Sequence, residues 1–397
     1  MPNARLIGFV FLLGAMAAVP AVTVDMYLPS LPEVAADFRT SSANASATIT
    51  GMLIGGAVGQ ILVGTLSDKF GRKAPFAVGL LIHTATSIAC IFAPSIFSLI
   101  ALRVLQGIGN AAATVTSMAI IRDRFHGARA AAIMSRLMLV IGLAPLLAPT
   151  VGGFIATQWH WRAVFGVLAT LGALVLLATL VFMPETHPPQ RRMKEPLRKA
   201  FRTYGVLVRD KQFMALAIVP ALALSALFSY VAASPFVLRE GFGLSEGQFA
   251  IVFAINGLGI VAGAQVNARL VATMTPLRIL RRAMPIEVIM ALGVVLAALI
   301  VPSSLIAISI PLFIVLALNA VVMPNATATA LSLHGERAGS AAAVVGATQA
   351  GLAGIISPVV GLLGSTAVAM GSLIAIVVTI GYILVRAVPE QPGPSIA

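Results

Sequence analysis

Twelve long apolar segments, separated by short polar stretches, follow one another along the chain. The apolar runs are continuous, whereas the strands of a membrane β-barrel alternate apolar and polar residues. Each run approaches the roughly 20 residues that a helix needs to cross a bilayer. The pattern predicts membrane-spanning helices at 6–30, 45–67, 75–93, 97–121, 131–155, 162–183, 213–237, 247–268, 284–301, 305–326, 340–362 and 366–386.

Composition agrees with an all-α polytopic membrane protein. Apolar residues make up 59% of the 397 residues, only 10% are charged, and the mean hydropathy is +1.00. A soluble domain could not bury that much apolar surface, so lipid must solvate most of the chain. The first apolar run continues to Val24, beyond a cleaved signal peptide, and is therefore interpreted as the first span.

Basic residues lie almost entirely in alternate loops, which predicts the orientation of the helices. Only Arg39, Arg162 and Arg239 lie on one side, and all other loop Lys and Arg residues lie on the other. Because Lys and Arg stay on the cytoplasmic side, both termini are predicted to be cytoplasmic in a bacterial inner membrane. The net charge of +13 comes from these loops, so we predict no nucleic-acid partner.

The longest polar stretch divides the twelve spans into two sets of six. The predicted units are an N-terminal half at 1–190, a linker at 191–212 and a C-terminal half at 213–397. Shifting the first half by 199 positions places Gly64 on Gly263 and Asp68 on Asn267, as in a diverged duplication.

The linker contains apolar residues at helical spacing among basic ones. These apolar positions are Leu197, Phe201, Tyr204 and Val208. They predict a short basic helix on the inner membrane face, the alternative being an ordinary charged linker.

The short loop after the second span reads GTLSDKFGRK. It resembles the signature loop of the major facilitator superfamily of transporters at Gly64, Leu66, Asp68, Gly71, Arg72 and Lys73. Because glycine has no side chain, Gly64 would let neighbouring helices approach closely, and Gly71 would permit a tight turn. The resemblance implies that Asp68 faces the eleventh helix and that Arg72 bridges to Asp123, latching the two halves when the transporter is open outward. The alternative is a topology signal alone.

Two charged residues lie inside apolar runs. Arg103, in IALRVLQGIGN, resembles the superfamily's helix-four motif together with Gln106, Gly107 and Gly109, which implies a part in proton coupling. Asp25 is the only carboxylate well inside an apolar run, and burial favours its protonated form. Counting from Ser30, Asp25 lies roughly 8 Å below the outer surface, at a depth similar to that of Arg103.

We therefore predict a switchable ion pair in which Arg103 holds Asp25 ionised until a proton or substrate breaks the contact. The alternatives are a snorkelling arginine, a fixed structural pair or a carboxylate at the outer rim. Glu287 is expected to form a local ion pair with the neighbouring Arg281 and Arg282, and the alternative is a proton site.

The fifth run reads IGLAPLLAPTVGGF and resembles the antiporter motif of drug exporters. Pro145, Pro149, Gly152 and Gly153 match, and Ala148 replaces a glycine. The prolines would bend the helix, and the glycines would allow tight packing against the second half. The resemblance favours export over uptake.

Finer resemblances cover 6–386 and point to the bicyclomycin/chloramphenicol-resistance type of drug/proton antiporter. They include VDMYLPSLPEV, SYVAASPFVL and FAINGLGIVAGAQVNARL. For an apolar central pocket with a few polar contacts we nominate Tyr27, Asn110, Tyr230, Phe236 and Asn256. Packing between helices is the alternative for each.

The sequence thus predicts a proton-coupled exporter of small antibiotic-like molecules, working as a monomer by alternating access with the proton gradient as its energy source. Some multidrug relatives carry a second acid in helix one, where this chain has Ala17 and Ala18, which favours neutral or zwitterionic substrates. Clustered nucleophiles and metal-ligand spacings are missing, so no enzyme activity, metal or cofactor is predicted. A sugar or amino-acid transporter, a membrane-embedded enzyme and a receptor or scaffold that has lost transport are the alternatives.

Overall fold

The computed structural model describes residues 3–124, 147–192, 197–334 and 337–388. Throughout these residues the regular structure is helical. The helices are α1 (Asn3–Asp25), α2 (Leu31–Asp37), α3 (Ser42–Phe70), α4 (Lys73–Ile91), α5 (Ile96–Arg124), α6 (147–159), α7 (Trp161–Phe182), α8 (Leu197–Arg209), α9 (Lys211–Ser234), α10 (Glu246–Leu270), α11 (Pro276–Ile300), α12 (Leu305–Ser332), α13 (Ala338–Ile356), α14 (Val359–Leu362) and α15 (Ala367–Ala387). A π-helical turn, Pro235–Gly241, extends α9.

Eleven helical stretches within the described residues are long and apolar enough to cross a membrane. They coincide with eleven of the twelve predicted spans. The predicted fifth span at 131–155 is described only from residue 147 onward, where α6 is helical. The chain is therefore a multi-pass integral membrane protein. We call the side at which α3 ends and α4 begins the basic face, and the other side the opposite face.

The first span is longer than predicted and continues to Asp37. A 3₁₀ turn, Leu28–Ser30, connects α1 to α2, and a proline is the second residue of each of these short helices. Proline is tolerated there because the first turn of a helix needs no backbone N–H donor. Asp25 consequently lies 12 residues before the end of the span at Asp37. That is roughly 18 Å below this end along a helix, whereas a depth of roughly 8 Å below the outer surface was predicted.

One span begins before its apolar run, at the basic face. α11 begins at Pro276, eight residues before the predicted start, and includes Arg278, Arg281 and Arg282. Hydropathy marks where lipid contact begins, whereas a helix starts where its hydrogen bonds start. In the linker, α8 matches the predicted short helix, and its Tyr204 hydroxyl lies 2.9 Å from Thr65 Oγ1 of α3.

Small residues set the distances between spans. Glycines 55 and 107 bring α3 and α5 together so closely that a Cβ on Gly55 would overlap the Val104 carbonyl. In the second half, Gly263 faces the Ala317 carbonyl in the same way. Such contacts let backbones approach where lipid supplies no hydrophobic driving force between helices. α3 also packs along α13, so the two groups of spans meet near the middle of the molecule.

Candidate transport site

A cavity of about 350 Å³ lies between the two groups of spans. Its described lining comes from α1, α3 and α5 on one side and from α9, α10 and α13 on the other. Six of the 22 lining residues are polar, so the cavity is mainly apolar with a few hydrogen-bonding groups. The polar ones are Asp25, Gln60, Asn110, Thr114, Tyr230 and Asn256.

Asp25 contributes a carboxylate to this cavity from the last turn of α1. Its side chain is only 8% exposed. No described residue forms an ion pair with Asp25. A carboxylate in such a place is costly to ionise without a cation, which makes Asp25 a candidate proton-binding group.

Arg103 is completely buried beside α1 but does not reach Asp25. Its Nη1 donates to Gln106 Oε1 at 2.6 Å and makes a longer contact of 3.5 Å with the Thr23 carbonyl oxygen. The guanidinium also lies over the Tyr27 and Phe165 rings, 4.8 and 5.7 Å from their centroids. Aromatic faces can partly replace water around a cation.

The predicted ion pair is thus absent from this conformation, and the guanidinium is held by a polar chain inside the first half. Gln106 Nε2 donates to Ser87 Oγ at 2.7 Å, and Ser87 Oγ donates to the His83 carbonyl oxygen at 2.7 Å. Asp25 faces the cavity while Arg103 faces this chain. Sequence spacing predicted similar depths, but the extended first span places Asp25 deeper. Spacing also could not predict that the two side chains lie on different sides of α1.

On the other wall, Tyr230 and Asn256 form a polar pair. Asn256 Nδ2 donates to the Tyr230 hydroxyl at 2.9 Å, and both residues line the cavity. The Tyr230 ring stacks on Phe253, with centroids 5.5 Å apart. A flat aromatic surface with one hydroxyl and one amide is therefore presented to the cavity, opposite Asp25 and Asn110.

Two of the five nominated cavity residues lie elsewhere. Tyr27 is fully buried, accepts a hydrogen bond from Thr48 Oγ1 at 3.1 Å and covers Arg103. Phe236, in the π-helical turn, lines a separate cavity of about 430 Å³ near the opposite face. Gln60, Phe228 and Phe253 line the central cavity but were not predicted. The polar Gln60 within an apolar run was the one available signal.

At the basic face, Arg72 lies at the centre of a cluster of acidic residues. Its Nη1 is 2.6 Å from Asp68 Oδ1, and its Nε is 2.8 Å from Asp123 Oδ2. The Arg72 side chain is only 3% exposed, whereas Asp68 is half exposed. The predicted bridge from Arg72 to Asp123 is formed. Within the described residues, the ion-pair partner of Asp68 is Arg72.

Glu185 completes this cluster and was not predicted. Its carboxylate accepts hydrogen bonds from the backbone amides of Arg72 at 2.8 Å and Lys73 at 3.2 Å, at the start of α4. Partial burial raises the pKa of Glu185, but these bonds and those from the amides of His187 and Thr186 outweigh it and hold the pKa below its usual range. An acid directly after the sixth span was the only sequence signal.

The motif glycines differ in what they do. Gly71 has φ of +94°, a conformation that side chains disfavour, as expected of the turn residue. A Cβ on Gly64 would meet no atom of the described residues within 4 Å, so these residues show no close approach at Gly64.

In α6, Gly152 packs against the Met26 carbonyl of the first span, whereas contact with the second half was expected. Pro149 and Gly153 lie in the same helix, and Pro145 lies outside the described residues.

The matching position in the second half carries a neutral pair. Asn325 Nδ2 of α12 donates to Asn267 Oδ1 of α10 at 2.6 Å. Asn267 corresponds to Asp68 in the predicted duplication. We call these two places the basic-face corners of the halves: the first half joins its spans there with charged side chains, and the second half with amides.

The model of the Major Facilitator Superfamily matches residues 7–358. The chain belongs to the Major Facilitator Superfamily. The predicted twelve-helix fold of this superfamily is confirmed, and the protein is a transporter and not an enzyme.

Two curated relatives of this facilitator cover most of its length. It is 34% identical to the uncharacterized MFS-type transporter YdgK of Bacillus subtilis, over 94% of this chain and 92% of YdgK. It is 31% identical to the bicyclomycin resistance protein homolog of Haemophilus influenzae, over 89% and 88% of the two chains. The multidrug resistance protein MdtL of Salmonella heidelberg is 31% identical over 59% of this chain and 58% of MdtL.

Solved transporters share the fold at low sequence identity. The partially occluded inward open conformation of the xylose transporter XylE from E. coli aligns with a TM-score of 0.76 at 14% identity, covering 98% and 99% of the chains. The crystal structure of a D-xylose-proton symporter aligns with a TM-score of 0.70 at 17% identity, covering 95% and 96%.

Proposed function

We propose that this facilitator exports small antibiotic-like molecules across the bacterial inner membrane in exchange for protons. The observation that carries the proposal is Asp25, a buried carboxylate in the wall of the central cavity with no described cation beside it. A carboxylate that can be neutral or charged in the substrate cavity lets proton and substrate compete for one site. Relatives named for bicyclomycin and multidrug resistance support the substrate class.

The cavity favours a compact, mainly apolar molecule over a sugar. A sugar needs a hydrogen-bond partner for most of its hydroxyls, because a buried unpaired polar group costs roughly 1–3 kcal/mol. Here the polar lining is limited to six described residues among 22. A volume of about 350 Å³ lies within the range of small-molecule sites. The Tyr230 ring and the Asn256 amide would contact an aromatic or amide-bearing substrate.

The coupling scheme follows from the separation of Asp25 and Arg103. Protonation of Asp25 from outside removes its charge and favours the change that turns the cavity inward. Substrate binding from the cytoplasm then displaces the proton. Arg103 acts from behind α1 as a positioning residue, through its contact with the Thr23 carbonyl. The two halves rock around the cavity. Among the described residues the Arg72 cluster joins spans of the first half only, so the latch to the second half would run through Asp68, which is half exposed.

We place the basic face and both termini in the cytoplasm, because Lys and Arg concentrate there. The partners of the protein in this scheme are the lipid bilayer, the small-molecule substrate and protons, and the transporter works as a monomer. The division into halves at 1–190 and 213–397, with the linker at 191–212, belongs to the same proposal.

The test is drug susceptibility of an efflux-deficient strain expressing the protein, with chloramphenicol, florfenicol, bicyclomycin and a cationic dye. Asp25→Asn and Arg103→Ala should lose resistance at equal expression. Glu33→Gln is the matched control, because Glu33 is also an acid of the first span but does not line the cavity. Full resistance in Asp25→Asn would refute the coupling role. Resistance to none of the compounds would favour a sugar or amino-acid transporter, tested next by direct flux.

A further inference from the structure

The second half buries a carboxyl group that the proposed mechanism does not use. Glu287 of α11 lies 11 residues after Pro276, roughly 16 Å along the helix from its start. Its side chain is only 1% exposed. The expected ion pair with Arg281 or Arg282 is not formed. Arg281 Nη2 donates to the Val388 carbonyl oxygen at 2.6 Å, and Arg282 Nη1 lies 3.2 Å from Met274 Sδ.

The surroundings of Glu287 suit a neutral acid. Oε1 has no hydrogen-bond partner, and the carboxyl lies against the Asn319 side chain of α12. Asn319 Nδ2 in turn donates to the Ala223 carbonyl oxygen of α9 at 2.7 Å. An amide can accept a hydrogen bond from a protonated carboxyl group as well as donate one. Ala223 precedes Leu224, which lines the central cavity, so Asn319 joins Glu287 to the cavity wall.

No described cation neutralises this carboxyl. The neighbouring α12 contains no acidic, basic or tyrosine residue, and α15 contributes only Tyr382 and Arg386, near its basic-face end. On α11 itself the arginines lie toward the basic face. On α9, Lys211 begins the helix, and Tyr230 accepts a hydrogen bond from Asn256. An ionised carboxylate here would be buried without compensation, which is strongly unfavourable.

The first half repeats this arrangement with a different side chain. His83 of α4, the third span, is fully buried and lies against Asn110 of α5, the fourth. α11 and α12 are the third and fourth spans of the second half. Each half thus keeps one ionisable group against an asparagine, and Asn110 itself lines the cavity.

We propose that Glu287 binds a proton in this conformation and is a second proton site of the transporter, separate from Asp25. When α9 and α12 move as the cavity changes face, the carboxyl loses Asn319 and releases its proton to water, leaving a carboxylate. Rebinding of a proton restores the neutral acid. The role of Glu287 as a transport site rests on the proposed proton-driven export. The protonation of Glu287 in this conformation does not depend on that proposal.

The first experiment is infrared spectroscopy of the purified protein in lipid nanodiscs near neutral pH. Asp25→Asn provides the background, because a protonated Asp25 would give a band of its own. The carbonyl band of a buried protonated carboxyl group should be present in Asp25→Asn and disappear when Glu287→Gln is added to it. Glu287→Asp, which keeps an acid, should restore a shifted band. Elution volume and melting temperature control for folding, and if Glu287→Gln does not fold, the shift in Glu287→Asp decides. An unchanged spectrum in Glu287→Gln and in Glu287→Asp would show an ionised Glu287 and overturn the proposal.

The second experiment counts protons moved per substrate in proteoliposomes. Glu287→Gln should move fewer protons than the wild type while still binding substrate. An unchanged ratio together with loss of the infrared band would identify a fixed structural proton and overturn the assignment as a transport site. If the wild type moves no protons at all, proton-coupled export itself fails. In that case the Glu287 band is measured at several external pH values with the cavity open to each side in turn. A band that titrates in only one of the two orientations would support the second proton site, and a band that persists in both would overturn it.

Discussion

The two halves of the transporter use different chemistry at equivalent places. On the basic face, the first half joins its second, third and fourth spans with Asp68, Arg72 and Asp123, whereas the second half uses Asn267 and Asn325. Within the membrane, the third span of the first half buries His83, whereas the third span of the second half buries Glu287 without a described cation. Corresponding corners of the two predicted halves are therefore joined by different side-chain chemistry.

The difference between charged and amide contacts matters for a transporter whose halves must separate on one face at a time. Partly buried ion pairs are strongly directional and costly to break from one side, because removal of a partner leaves an uncompensated charge. A neutral amide pair costs less to rearrange. The comparison teaches that the charged contacts of the first half should be harder to rearrange than the amide pair of the second half. The predictions below test this difference.

Removal of Arg72 should have the largest effect. Arg72→Ala leaves Asp68 and Asp123 without their shared cation and should lower the free energy of unfolding by about 3 kcal/mol. Unfolding in mixed micelles measures this, and resistance should be lost in parallel. Arg269→Ala, a basic-face arginine near the end of α10, is the control. Equal effects of the two substitutions would contradict a special role for the cluster.

Removal of the amide pair in the second half should cost less. Asn325→Ala leaves Asn267 Oδ1 without its donor and should lower the free energy of unfolding by about 1 kcal/mol. The same unfolding assay gives the ratio to Arg72→Ala directly. If Asn325→Ala proved as damaging as Arg72→Ala, the two corners would be energetically equivalent and the proposed asymmetry would be wrong.

Glu185 makes the cluster in the first half sensitive to acid. Its folded pKa lies below the usual value, so its contribution is present above the unfolded pKa of about 4.3 and is lost as the pH falls through the folded pKa. Glu185→Gln should remove this acid-dependent loss. Because the side chain is 29% exposed, the contribution should stay under about 1 kcal/mol. Melting curves at several pH values check this, and identical pH dependence in both proteins would refute it.

The smallest effect is expected in the cavity. Tyr230→Phe removes the hydroxyl that accepts the Asn256 hydrogen bond but keeps the ring that stacks on Phe253. Loss of one such bond is worth about 1 kcal/mol, so substrate affinity should fall no more than about fivefold. Phe236→Leu, outside the described lining of the central cavity, should leave affinity unchanged. If Phe236→Leu lowered substrate affinity more than Tyr230→Phe did, the substrate would bind nearer the opposite face than we propose.

Many elements were predictable because each depends on neighbouring residues alone. Apolar run length gave the spans, since a bilayer of fixed thickness demands it, and the spacing of Leu197, Phe201 and Tyr204 gave α8. The resemblance of the loop to the superfamily's signature predicted the bridge from Arg72 to Asp123, and Gly71 has the positive φ expected of its turn. The orientation and the division into halves stay predictions.

Other features required helices to meet in space. The direction of each buried side chain depends on how a helix is rotated about its axis, which no local pattern specifies. Hence Asp25 faces the cavity while Arg103 turns to Gln106, and Tyr27 covers the guanidinium instead of lining the cavity. Gly152 likewise packs on Met26 and not on the second half.

By itself, the sequence determined a membrane protein of twelve helical spans with a basic face, because hydropathy and charge act residue by residue against lipid and water. Only the tertiary structure decided which charges are paired. It brought Glu185 to the start of α4, across 112 residues from Lys73, and left Asp25 and Glu287 without described cations. The physical reason is that the cost of a charge in the membrane depends on its neighbours, and those neighbours come from other helices.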